Sequence, residues 1–164
     1  MADEQDAQEV DVARWEALAR QVLEAEGVSG DAELAVLFVD EASMAELNAT
    51  FMSQAGPTDV LAFPIDATEA ADHVGVGRSP DGSTSGPDRD QSDLPMLLGD
   101  VVICPAVAAR NAPHHASIYV DEVALLIVHG ILHVLGMDHA EPDETARMQR
   151  RERTLLEQFH RSTR

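Results

Sequence analysis

The 164-residue sequence contains no lysine and only one cysteine, Cys104. A single cysteine excludes an internal disulfide, and a reducing compartment is the simplest interpretation. All eleven basic residues are arginines, set against 30 acidic residues, so the formal net charge is −19. Because phosphate contacts need cationic side chains, this charge taken alone argues against nucleic acid as a partner.

The sequence also lacks a recognisable secretion signal and a long apolar run. Residues 1–9 are acidic and polar, without the basic start and apolar stretch of a signal peptide, and we expect them to form a disordered tail. The longest apolar run, VALLIVHGILHVLGM at 123–137, contains two histidines and is too short to cross a bilayer comfortably. We therefore expect a cytoplasmic protein that does not bind membranes.

The arginines are unevenly distributed along the chain. The segment 141–164 contains six of the eleven and five acids, so its net charge is about +1 and that of the remainder is about −20. The preferred interpretation is a solvated helix with ordinary ion pairs. The six arginines are Arg147, Arg150, Arg151, Arg153, Arg161 and Arg164.

Length and composition predict one domain over residues 10–164, because the chain is 45% hydrophobic and long enough to bury a core. Residues 66–95 are rich in Gly, Ser, Asp and Pro without periodicity, which predicts a mobile loop. Apolar spacing predicts helices at 12–26, 41–52, 105–112, 118–136 and 141–159, and strands at 34–40, 59–65 and 97–104. Ser43 with Glu46 three residues later predicts a capping box on the second helix.

Three histidines lie in the most hydrophobic segment, HGILHVLGMDH. His129 and His133 are four residues apart on the predicted helix, so their rings project from one face. Gly136 ends the helix, and His139 follows closely enough to meet the other two. Three converging imidazoles predict a zinc site with a fourth position open for water. Asp138 either orients an imidazole or caps the turn.

The histidine spacing matches the HExxHxxGxxH pattern of the metzincin proteases, with one decisive difference. In that pattern a glutamate follows the first histidine and acts as the general base, whereas here Gly130 occupies the position. A protease that works by this mechanism would lack its base. The sequence therefore does not support peptide hydrolysis.

Three blocks of sequence together resemble the YbeY family of bacterial endoribonucleases, the ribosomal RNA maturation factors. The pattern of Met148, Glu152, Leu155 and Leu156 follows them, and the resemblance spans about residues 34–157. The blocks are LNATFMSQAGPTDVLAFPID (47–66), LLGDVVICPAVA (97–108) and DEVALLIVHGILHVLGMDH (121–139).

The resemblance implies a single α/β (α+β) domain, in which several helices pack on a small mixed sheet and one helix in the C-terminal half binds zinc. It implies that His129, His133 and His139 hold one Zn²⁺ ion per chain. It also implies metal-dependent cleavage of single-stranded RNA, in maturation of the small-subunit ribosomal RNA 3′ end and in ribosome quality control. The expected partners are RNA and the small ribosomal subunit with its precursor RNA, and neither DNA nor a membrane is expected.

The sequence departs from the family pattern at the expected cleft. Met52 stands where the family often has an arginine proposed to bind phosphate or act in catalysis, and Ala62 stands where serine is usual. Arg110 is a weak candidate to replace the missing arginine, although an arginine on a helix surface explains it more simply. Thr58 and Asp59 are weak catalytic candidates, and turn and strand-start chemistry accounts for them equally well.

Two functions of different class follow. The leading hypothesis is a zinc-dependent endoribonuclease, whose nucleophile is either water or the substrate's 2′-hydroxyl. The alternative is a catalytically weak ribosome-assembly factor with a structural zinc site, which Met52 and the acidity favour.

Overall fold

Four strands and five helices make up the part of the chain that the structure describes, a computed structural model covering residues 1–65, 95–137 and 140–161. The loop predicted at 66–95 lies outside these residues except for its last position. The strands are β1 (Ala2–Asp3), β2 (Ala32–Phe38), β3 (Val60–Pro64) and β4 (Met96–Ile103). The helices are α1 (Val12–Ala25), α2 (Glu41–Met52), α3 (Pro105–Asn111), α4 (Tyr119–Val134) and α5 (Pro142–Phe159).

The strands form one mixed sheet in the order β1-β2-β4-β3. β1, β2 and β4 are parallel, whereas β3 runs antiparallel to β4. Successive side chains of a strand point to opposite faces, and β4 buries apolar residues on both faces. The mixed α/β fold implied by the sequence is therefore confirmed.

Helices cover both faces of this sheet. On one face, α1, α4 and α5 pack around Val101 and Ile103 of β4. On the other face, Met44 of α2 and Val107 of α3 pack with Val102. Because α4 contacts both β3 and β4, its histidine-bearing face lies near the open edge of the sheet at β3.

The N-terminal segment differs from the disordered tail that we expected. Ala2 and Asp3 pair with Leu37 and Phe38 of β2, and the Tyr119 hydroxyl donates a hydrogen bond to the Glu9 carbonyl at 3.2 Å. The edge of a strand offers unpaired backbone groups, which another segment can satisfy whatever its side chains are. An acidic, polar composition therefore did not prevent these residues from adding a short strand.

The cap of α2 also differs from the prediction. The helix begins at Glu41, and the carboxylate of Asp40 accepts a hydrogen bond from the Ser43 N–H at 2.8 Å. That hydrogen bond lowers the pKa of Asp40 below its usual value. The predicted cap at Ser43 was wrong because Asp40, two residues after the end of β2, already satisfies the helix N-terminus.

No single helix in the described residues is long and apolar enough to span a membrane. Two consecutive segments, Pro105–His115 and Tyr119–Val134, are together long and apolar enough, but the chain bends by 108° between them. The second segment is α4, whose side chains are mostly buried against the sheet and the neighbouring helices.

Candidate active site

Two of the three predicted metal ligands lie side by side on α4. The ring centroids of His129 and His133 are 4.5 Å apart, with an interplanar angle of 77°. This is the geometry expected of residues one helical turn apart on the same face. Both residues line a cleft of about 520 Å³.

A buried carboxylate from α5 holds one of these rings. The Oε1 atom of Glu152 lies 2.7 Å from Nδ1 of His129, and Glu152 is only 8% exposed. An ionised carboxylate can only accept a hydrogen bond, so in this contact the imidazole donates from Nδ1–H. Metal-binding histidines usually donate their other N–H to such a partner, so this contact is of the kind found at metal sites.

The opposite wall of the cleft comes from β3 and the end of α2. Val60, Leu61, Ala62 and Pro64 line it together with Met52. Met52 is 43% exposed, which confirms that this position reaches the cleft although it carries no charge. None of the described residues that line the cleft is an arginine.

The third predicted ligand, His139, and the neighbouring Asp138 lie outside the described residues. Within the described part of the chain, no group of three His, Cys, Asp or Glu side chains is placed to hold a metal ion. Of the three predicted ligands, the described part of the chain contains His129 and His133. Gly136, which has a φ of +95°, turns the chain after α4, as the sequence predicted.

Thr58 and Asp59 lie before β3 and do not line the cleft. The Asp59 carboxylate accepts hydrogen bonds from the Val60 N–H at 2.9 Å and the Asn111 side-chain amide at 3.1 Å, with the Thr58 hydroxyl at 3.3 Å. These bonds fasten the start of β3 to the end of α3. In the structure Asp59 therefore has a structural role, which is to hold the start of β3 against α3.

Arg110 is likewise absent from the cleft lining. Its guanidinium pairs with the carboxylate of Glu41, and both side chains are exposed. This pair joins the end of α3 to the start of α2. Arg110 therefore does not occupy the place of the missing cleft arginine.

Gly130 has a packing role that explains why no glutamate stands there. A Cβ atom at this position would lie 2.5 Å from Cγ1 of Val101 in β4, far inside van der Waals contact. Residue 130 faces the sheet, whereas His129 faces the cleft. Close packing between α4 and β4 therefore leaves no room for a side chain at residue 130.

Comparison with known proteins agrees with the resemblance noted in the sequence. The family model described as Endoribonuclease YbeY matches residues 1–160. The chain belongs to the YbeY family. A relative of that name from Thermobifida fusca is 45% identical over 152 residues, which is 93% of this chain and 88% of the relative. Another from Salinispora tropica is 47% identical over 148 residues, covering 90% and 87% of the two chains.

A solved structure confirms the fold of this YbeY-family chain. The solution structure of TM1509 from Thermotoga maritima superposes with a TM-score of 0.54 at 22% identity, covering 94% of this chain and 89% of that one. At this identity the likeness concerns the fold alone.

Glu152 is the residue of the site whose role sequence reasoning missed. It lies 23 positions after its partner His129, on a different helix. The only signal was its place among Met148, Leu155 and Leu156, where a buried acid interrupts the apolar face of α5. A carboxylate in an otherwise apolar stripe needs a partner, and an imidazole is a suitable one.

Proposed function

We propose that this chain is a metal-dependent endoribonuclease that cleaves single-stranded RNA. The observation that carries the proposal is the pair His129 and His133 in one cleft, with His129 held by the buried Glu152. The relatives named Endoribonuclease YbeY, at 45–47% identity over about nine-tenths of the chain, support the reaction class.

We propose that one Zn²⁺ ion binds to His129, His133 and His139. Neutral imidazoles suit zinc, and the contact between Glu152 and Nδ1 of His129 fits a ring that binds through Nε2. The cleft walls are largely apolar, which favours a strong interaction between a bound cation and a phosphate oxygen. When bound, zinc supplies Lewis-acid chemistry that polarises a phosphoryl oxygen.

The chain's own residues then position and shield the reacting phosphodiester. Glu152 fixes the orientation and tautomer of His129. Val60, Leu61 and Ala62 form an apolar wall that limits the access of water to the cleft. Met52 adds surface without charge, so no described residue that lines the cleft offers the phosphate an arginine.

The cellular role that we propose follows from family membership. We place the chain in the cytoplasm, acting on precursor RNA of the small ribosomal subunit to mature its 3′ end and to remove defective ribosomes. The single cysteine fits a reducing compartment, where disulfides are rare.

The experiment compares zinc-loaded wild type with His133→Ala and His114→Ala on a single-stranded RNA fragment of the ribosomal 3′ end. His114 lies exposed in the turn after α3 and is the matched control. We expect cleavage by wild type and His114→Ala, and loss of both cleavage and bound zinc in His133→Ala. Equal cleavage by His133→Ala would identify a contaminating nuclease and contradict the proposal.

A ribosome-assembly factor with structural zinc is the second candidate, and the uncharged Met52 in the cleft favours it. It predicts full zinc occupancy and binding to the small subunit without cleavage by any variant. Metal analysis and ribosome sedimentation beside the cleavage assay separate the two functions.

A further inference from the structure

The described arginines fall into two groups. Three of them pair with carboxylates: Arg20 with Glu16, Arg110 with Glu41 and Arg151 with Glu26. Arg14 lies with its guanidinium carbon 5.0 Å from the centre of the Trp15 ring. These four arginines are occupied by contacts within the chain.

The second group lies at the C-terminal end and has no such contacts with the residues that the structure describes. Within residues 1–65, 95–137 and 140–161, no carboxylate lies within 4 Å of these guanidinium groups, although acids outnumber arginines by 30 to eleven. All four side chains are exposed. We call them the α5 arginine surface: Arg147, Arg150 and Arg153 at steps of three residues on α5, and Arg161 just after it.

Two members of the α5 arginine surface line a groove between α4 and α5. Arg153 and Arg161 share this groove, of about 250 Å³, with the partly buried side chains of Leu125 and Leu156 and with Gln149. Guanidinium groups bind phosphates, and apolar side chains beside them can contact the face of a base. The combination fits a nucleotide of a single strand.

The groove adjoins the histidine cleft. Leu125 lies one turn before His129 on the same face of α4. Glu152 lines the groove and also contacts His129. A strand whose phosphodiester lies in the cleft therefore has a cationic surface next to it.

We propose that the α5 arginine surface binds the backbone of single-stranded RNA beside the cleavage site, with Arg153 and Arg161 contacting phosphates in the groove. This inference rests on the proposed ribonuclease function. It assigns phosphate recognition to a groove that shares no lining residue with the cleft containing Met52, and it gives a chain of net charge −19 a local site for a polyanion.

The test measures binding of a short fluorescein-labelled single-stranded RNA by anisotropy at several salt concentrations. Full-length His133→Ala serves as the parent, so that cleavage does not consume the probe. The variants are Arg153→Gln/Arg161→Gln and, as a control for charge, Arg20→Gln on α1, where the arginine pairs with Glu16. Circular dichroism establishes that each variant is folded.

We expect the pair of substitutions to weaken binding. Each phosphate that an arginine no longer neutralises should flatten the dependence of log K on log salt by about 0.7, or roughly 1.4 for the two arginines together. Arg20→Gln should leave the slope unchanged. An unchanged slope in the double variant, an equal change in Arg20→Gln, or no RNA binding by the parent would each overturn the inference.

The two proposals fail separately. A histidine-intact chain that cleaves RNA while binding it independently of Arg153 and Arg161 keeps the proposed function and overturns the inference. A chain that binds RNA through these arginines but does not cleave it keeps the inference and overturns the proposed function.

Discussion

Helices α4 and α5 lie against each other but differ in almost every respect. Ten of the 16 residues of α4 are buried, and two of its histidines line the cleft. Only three of the 18 residues of α5 are buried, and one of these is Glu152. The site is therefore divided between two helices, of which α4 builds the core and α5 supplies charge. On α5 the carboxylate of Glu152 is buried, whereas the α5 arginine surface is exposed.

Of the predicted effects, the largest should follow from neutralising Glu152, the buried acid of α5. Glu152→Gln keeps the size of the side chain but weakens its hold on Nδ1 of His129, and we expect zinc affinity to fall by about 10- to 100-fold. Competition with a chelator of known affinity measures this without reference to activity. Glu157→Gln, exposed on the same helix, is the matched control. Zinc affinity equal to that of wild type would show that Glu152 serves only packing.

The close approach of α4 to β4 is tested by Gly130→Ala. The new methyl group must displace Val101, and we expect a loss of about 1–3 kcal/mol in the free energy of unfolding. This outweighs the gain in helix propensity of about 1 kcal/mol. Urea denaturation measures the difference.

A double-mutant cycle isolates this contact. Val101→Ala makes room for the methyl group, so the two substitutions together should cost less than their sum, by about 0.5–3 kcal/mol. A Gly130→Ala protein more stable than wild type would mean that propensity dominates and that α4 has space to move.

The smallest predicted effect concerns the start of α4. Tyr119 is the only tyrosine, and burial, with a contribution from Asp3, raises its pKa to about 12. Because the folded state favours the neutral phenol, this stabilisation is present below about pH 10 and is lost as the pH rises through about 12. Absorbance titration of the phenolate measures the midpoint.

Deleting residues 1–8 sharpens this prediction. Without Asp3 and the strand β1, the midpoint should move toward the ordinary value of about 10. The same midpoint in both proteins, with circular dichroism showing that each stays folded, would contradict the contact of the N-terminal segment with Tyr119.

Periodicity in the sequence was sufficient to predict the helices and three of the four described strands. The spacing of His129 and His133 placed both rings on one face, since that relation depends only on helix geometry. The pattern also predicted the turn at Gly136, two residues after the end of α4.

Long-range pairing could not be predicted in the same way. The contact of Glu152 with His129 depends on how α5 returns across α4, and no local pattern encodes that path. The two-residue strand β1 has no hydrophobic signature, because it is held by backbone hydrogen bonds to β2. The position of the α2 cap depended on where β2 ends, which periodicity gives only to within a few residues.

The glycine at position 130 also limits how this fold can be redesigned. A metzincin-like protease would need a glutamate directly after His129, and a Cβ there already collides with Val101. Making room would require α4 to move away from β4, and both cleft histidines would move with it. In this fold, a single substitution therefore cannot add the protease base without disturbing the site that the base would serve.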